Sequence, residues 1–169
     1  MSVQLQVVIA VAAVAMVLGL RALARRVTRL RQEGRAEATA SCGGQVVLID
    51  DTAAYFGRTS GGVEQRRGNG SLALSDEALV FVQWVPRSVL RIARQDVLAV
   101  DHTDEHRGRR LARPLLRVRF GDAGGEDTAA WLVRDLDRWL AAIGGGQPPP
   151  AQARTPEPAT DRQPPASAH

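Results

Sequence analysis

The sequence predicts a small all-β barrel or sandwich with one C-terminal capping helix, preceded by an N-terminal transmembrane helix. Three observations predict it. The eighteen residues from Val3 to Leu20 carry no charge. From Gln45 to Val133 the chain is a series of short apolar runs broken by turn residues, the pattern of small all-β domains. After that, Leu136, Trp139, Leu140 and Ile143 fall at i, i+3, i+4 and i+7, the spacing of a helix with one buried face.

As a helix, the opening run is about 27 Å long, close to the hydrocarbon thickness of a bilayer. A cleaved signal peptide needs positive charge ahead of its apolar core, and Met1 to Gln6 has none. The arginines come afterwards: Arg21, Arg25, Arg26, Arg29, Arg31 and Arg35 stand against Glu33 alone. Positive flanks stay in the cytoplasm, so the expectation is a single-pass protein of the plasma membrane, N-terminus outside and domain cytoplasmic. The helix is expected to continue past the bilayer, with Leu20, Leu23, Val27 and Leu30 on one stripe and Gly34 as its end. Three readings of this stretch compete. Arg21, Arg25, Arg26, Arg29 and Arg31 reach anionic lipid headgroups, the stripe pairs two copies with help from Ala15 and Gly19, or the arginines only set topology.

The strands follow in order. Val46 to Ile49 is the first, ended by Asp50-Asp51. Ser71 to Ser75 alternates with period two, Asp76-Glu77 turns the chain, and Leu79 to Val85 returns as the second arm of a hairpin ending at Pro86. Val89 to Ala93, Val97 to Val100, Leu115 to Phe120 and Ala129 to Val133 complete seven. In the sixth, Leu116, Val118 and Phe120 alternate with Arg117 and Arg119, one face in and one out. The glycines at 144–146 stop the helix. The expected division is a transmembrane helix over residues 1–20, a basic juxtamembrane helix or linker over 21–40, the β domain with its helix over 41–143, and a disordered Pro- and Ala-rich tail over 144–169.

Composition narrows the function. All 22 basic residues are arginine, which reads as the codon bias of a GC-rich bacterial genome. The net charge of +4 resides in residues 21–35, since residues 36–143 hold fourteen arginines against fifteen acids; binding of nucleic acid by the whole protein therefore loses its support. One cysteine, Cys42, excludes an internal disulfide.

The glycine-rich stretch from Phe56 to Gly70 invites comparison with phosphate-binding loops. Gly57 and Gly62 have Walker A spacing, but Val63 stands where the lysine belongs. Gly68 and Gly70 are followed by Ser71-Leu72-Ala73, without the third glycine of a dinucleotide fingerprint. His102 and His106 lie four apart in the one cluster of metal-ligand types, yet the segment follows a strand and reads as a solvated turn. No G-x-S-x-G or comparable context frames a nucleophile, so catalytic residues, metal ligands and cofactors are all expected to be none.

The stretches "GNGSLALSDEALVFVQWVP", "SVLRIARQDVLAV", "PLLRVRF" and "AAWLVRDLDRWLAAI" resemble the pleckstrin-homology (PH) superfold in its bacterial PH-like or GRAM-like form. That resemblance spans about residues 45–143 and implies a binding or scaffolding module, not an enzyme. It also implies that basic residues in the loop after the first strand grip headgroup phosphates, here Arg58, Arg66 and Arg67, although Glu64 sits among them and the family's closely spaced basic pattern is absent. Arg107, Arg109, Arg110 and Arg113 form a second arginine group, expected in another connection. The function expected is protein interaction or anionic-lipid sensing at a membrane, with a protein partner; the alternative is a structural subunit or assembly factor of a larger membrane complex.

Overall fold

The computed structural model describes residues 3–60 and 67–144, with side chains at all of these except positions 3, 5–11 and 109. One helix, α1 (Val3–Cys42), opens the chain. Seven strands follow: β1 (Val46–Arg58), β2 (Gly68–Ser75), β3 (Ala78–Gln83), β4 (Ser88–Ala93), β5 (Val97–His106), β6 (Arg109–Asp122) and β7 (Gly125–Leu132). A second helix, α2 (Leu136–Gly144), closes the fold. The strands form one antiparallel sheet in the order β4-β3-β2-β1-β7-β6-β5, curled around a core. All seven expected strands and the expected terminal helix are present.

The first difference from expectation is the helix. It does not end at Gly34 but runs 40 residues to Cys42, about 60 Å at 1.5 Å per residue. Glycine inside a helix costs about 1 kcal/mol against alanine, and here close packing explains it. A Cβ at Gly34 would lie 2.6 Å from Trp84 Nε1 and 3.0 Å from Ser71 Oγ. The helix stops instead at Gly43 and Gly44, with φ of 65° and 53°, the left-handed conformation that terminates helices and that glycine adopts without strain.

Gly34, Ala38 and Cys42 recur every fourth residue, and all three are buried. Through them α1 lies on the outer face of β2 and β3, where Ala38 and Cys42 join Ala73, Ala78, Val80 and Val82 in a second apolar cluster. Every residue of β3 is consequently buried, on both faces of the sheet. Polar straps reinforce the contact. Arg87 pairs with Glu37, Arg91 Nε donates to the Ser41 carbonyl at 3.2 Å, and Ser75 Oγ donates to the Cys42 carbonyl at 3.2 Å. Residues 30–42, in the stretch read from sequence as a juxtamembrane helix or linker over 21–40, are thus helical and packed against the sheet.

The second difference is β1. Asp50-Asp51 does not end it; the strand bulges there, with a register shift between Asp50 and Ala53. Asp50 is buried and serves the bulge. Its Oδ1 accepts from Thr52 N and Thr52 Oγ1, both at 2.9 Å, and its Oδ2 accepts from Arg134 N at 2.8 Å. A bulge bends a strand, and beyond it β1 turns to pair with β7 from Ala54 onward. The third difference is residues 101–106, expected as a solvated turn, which extend β5 to a two-residue turn at Arg107-Gly108.

The main core lies inside the curled sheet. Tyr55 and Phe81 approach to 5.1 Å between ring centroids, Tyr55 and Trp131 to 5.7 Å. Helix α2 plugs one end with Trp139 and Ile143, both buried, and Asp135 caps it by accepting from Arg138 N at 3.1 Å.

Among the described residues no helix is long and apolar enough to cross a membrane. The expected span over 1–20 falls largely on positions 1–3 and 5–11, which lie wholly or in their side chains outside the described residues. The tail from 145 also lies outside them.

Because Gly34 sets the helix-to-sheet distance, Gly34→Val should lift α1 from β2 and β3 and cost about 1–3 kcal/mol. Denaturant unfolding followed by tryptophan fluorescence measures this; an unchanged midpoint would show that the close approach is dispensable.

Candidate functional site

Helix α1 bears the first group of candidates. Arg21, Arg25, Arg26 and Arg29 are exposed. At 3.6 residues per turn they lie away from the face that continues the Gly34-Ala38-Cys42 line toward the N-terminus. That face carries Leu20, Leu23 and Val27, at 59%, 58% and 39% exposure. The docked half and the projecting half of α1 thus share one apolar stripe, covered by the sheet only from Leu30 on. Arg31 differs from its neighbours. It falls on the docking side, half-buried, and its buried Nε has no hydrogen-bond partner among the described residues.

The direction of α1 along the sheet defines which end of the domain follows the arginines. Gly34 meets Trp84 and Ser71, whereas Cys42 meets Ser75 and the Ala78 carbonyl. Moving toward the helix N-terminus therefore means moving toward the start of β2 and the end of β3. The β3–β4 turn lies at that same end, as do the last residue of β1, Arg58, and the first of β2, Gly68. In the turn, Val85 is 64% exposed beside half-buried Trp84 and exposed Arg87.

The loop candidates separate. Arg58 is not a loop residue: it ends β1, and its guanidinium pairs with Asp122 and Asp127 and sits 5.2 Å from the Phe120 ring centroid. Arg67 stacks over the Phe56 ring at 4.8 Å, beside a shallow cavity of about 270 Å³ walled by Ala54, Tyr55, Gly68 and Asn69. Arg66 lies outside the described residues.

Asp127 organises the start of this loop. It is 3% exposed and accepts from Ser60 Oγ at 2.6 Å, Ser60 N at 3.0 Å, Thr59 Oγ1 at 2.9 Å and Thr128 N at 2.7 Å, besides Arg58. Burial pushes its carboxyl up, but the bonds from Ser60, Arg58 and Thr128 outweigh burial and hold it well below the usual carboxylate range. Arg58 is thereby committed to the fold's own acids.

The two histidines of the expected turn do not form a metal site. His102 is exposed, while His106 is buried and donates Nε2–H to the Gly57 carbonyl at 3.1 Å. Among the described residues no group of three metal-ligand side chains is assembled. In the second arginine group, Arg107 occupies the β5–β6 turn at φ 53°, Arg110 pairs with Asp104 at 3.0 Å, and Arg113 lies exposed on β6. Arg109 also begins β6.

A feature that the sequence does not announce lies on the other flank of α1. Arg35 and Thr39 on α1, Val46–Ile49 on β1 and Arg138 on α2 enclose a groove of about 440 Å³. Its residues are 103 positions apart in the chain, so only the tertiary fold reveals it.

The seven strands, the single helix closing the curled sheet and the buried Trp139 in it are those the sequence resemblance implies. Among solved structures, the Vps36 N-terminal PH domain is similar at a TM-score of 0.43 and 14% identity, over 61% of this chain and 81% of that one. No protein-family model and no curated protein matches the chain.

Burial lowers the His106 pKa from its ordinary 6.5; the bond to Gly57 opposes this, and Arg107, Arg67 and Arg117 add to it. A histidine depressed in the folded state stabilises the protein above its unfolded value and less as pH falls below it. The folded protein should therefore lose thermal stability on acidification from pH 6.5 to about 5, within the usual histidine range. His106→Gln, which keeps a donor for Gly57, should flatten that part of a melting-temperature profile; an unchanged slope would assign it to other groups.

Proposed function

We propose that the protein is a non-enzymatic single-pass membrane protein whose PH-like domain stands against the cytoplasmic leaflet of the plasma membrane, as a module for protein interaction or anionic-lipid sensing. The observation that carries this is directional. The arginine-bearing half of α1, the start of β2 at Gly68 and the β3–β4 turn all lie toward the same end of the molecule, that of the uncharged opening run. From Leu20 to Gly34, which packs against Trp84, the helix advances about 21 Å, so the turn with Val85 and Arg87 faces a bilayer holding the opening run from across that distance.

Two further facts support this reading. Val14, Met16, Val17 and Leu18 leave 43–65% of their surface exposed. They spread over more than half of the helix circumference, with Ala15 and Gly19 in the remainder, an apolar surface that a water-exposed helix does not sustain. Arg21, Arg25, Arg26 and Arg29 directly follow, where anionic headgroups attract each arginine by about 1 kcal/mol. The phosphate grip implied by the family resemblance is narrowed, since Arg58 is held by two acids; Arg67 is the described loop candidate left for it.

Replacing Arg25, Arg26 and Arg29 together with Gln should reduce co-sedimentation of fragment 21–143 with anionic vesicles by about tenfold or more. Val85→Asp should weaken it further. Binding that survives both changes would remove the lipid half of the proposal. Orientation is tested separately. A reporter fused after Ile143 should be active only on the cytoplasmic side, and activity outside the cell would overturn the proposed topology.

A further inference from the structure

The groove between α1, β1 and α2 contains an unused strand edge. Strand β7 pairs with β1 only from Ala54 onward, so among the described residues the segment Val46–Ile49 has β2 on one side and no strand on the other. The ladder to β2 is irregular between Val46 and Leu48; in the regular part from Leu48 on, every second residue turns its N–H and C=O away from the partner strand, so this edge offers backbone donors and acceptors to the groove. Val47 is 61% exposed there. Such an edge is a template for one more strand.

The walls are basic. Arg35 rises from α1 and Arg138 from α2, and neither guanidinium has an acidic partner among the described residues. The neighbouring Arg134 is different, since it is engaged by Asp50 and Asp51. Two unpaired arginines on either side of an open edge complement an extended segment that carries carboxylates.

We infer that this groove binds an extended acidic peptide of a partner protein, which adds as a short strand beside Val46–Ile49 while its carboxylates engage Arg35 and Arg138. Four residues of strand cover about 13 Å, room for a recognition motif of four or five residues. The chain's own tail is a poorer occupant. Between 145 and 169 it holds seven prolines, none with the N–H a ladder requires, and its two acids are balanced by two arginines. A lipid headgroup is also disfavoured, because Arg35 and Thr39 lie about 22 and 28 Å along α1 from Leu20. The inference rests on the interaction-module reading and names its partner class.

The test uses the full chain in nanodiscs of zwitterionic lipid, with a fluorescein-labelled peptide of alternating valine and glutamate read by anisotropy. Saturable binding is expected. Arg35→Glu with Arg138→Glu should weaken it about tenfold or more, while Arg35→Lys with Arg138→Lys retains most of it, and melting curves of both variants verify that they fold. N-methylation of alternate peptide nitrogens should abolish binding in one of the two registers, because it removes the ladder donors. Changing Arg25, Arg26 and Arg29 to Gln should have no effect.

Absence of binding, or binding that disappears only with the Arg25, Arg26 and Arg29 changes, would overturn the inference. So would binding that appears only after residues 145–169 are removed, since the tail would then be the occupant. Anionic-vesicle sedimentation reports the membrane reading independently, so peptide binding lost with sedimentation intact sinks this inference alone.

Discussion

The rest of the structure depends on the seating of α1 on the outer face of β2 and β3. A curled sheet needs only its inner face covered, and here the outer face is covered too. The contact works because both surfaces are shallow: Gly34, Ala38 and Cys42 on the helix meet Ser71, Ala73, Ala78 and Val80 on the strands. Small side chains bring the backbones close and gain dispersion over a large area. They also make β3 buried on both faces, which accounts for an apolar run in which period-two alternation is lost.

The seating has polar consequences at both flanks. On the β4 side, Arg87 and Arg91 reach across to Glu37 and the Ser41 carbonyl, closing that flank. On the β1 side no equivalent strap is present among the described residues, and the bulge at Asp50 has already turned the strand away toward β7. One flank is therefore sealed and the other left open, and the open one carries the unpaired Arg35 and Arg138. Asp127 plays a comparable organising part at the far end of β1, where it gathers Arg58, Thr59 and Ser60 and so anchors the start of the glycine-rich connection.

Much of the fold is legible in the sequence because its signals are local. Alternation in Ser71 to Ser75 and Leu115 to Phe120, the Asp76-Glu77 turn and the period of Leu136 to Ile143 each report their own element. What is not legible arises from contacts distant in the chain. Gly34 looks like a helix end until Trp84 is seen against it. Asp50-Asp51 looks like a turn until the Arg134 backbone is found on the Asp50 carboxylate. His106 looks solvated, yet the carbonyl that holds it belongs to Gly57, 49 residues earlier. The same holds for the candidate sites: the exposed arginines of α1 are visible as a charge block, whereas the commitment of Arg58 to Asp122 and Asp127, and the groove beside Val46, need the assembled molecule.

The unbroken course of α1 carries a mechanical consequence. No hinge separates its opening residues from the part clamped to the sheet, so the domain behaves as a vane fixed to a mast. Each step of 100° about the helix axis is one residue of register, and a small roll of the opening segment sweeps the outer rim of the domain through a wide arc. Whatever grips that segment thereby decides which side of the vane its neighbours meet.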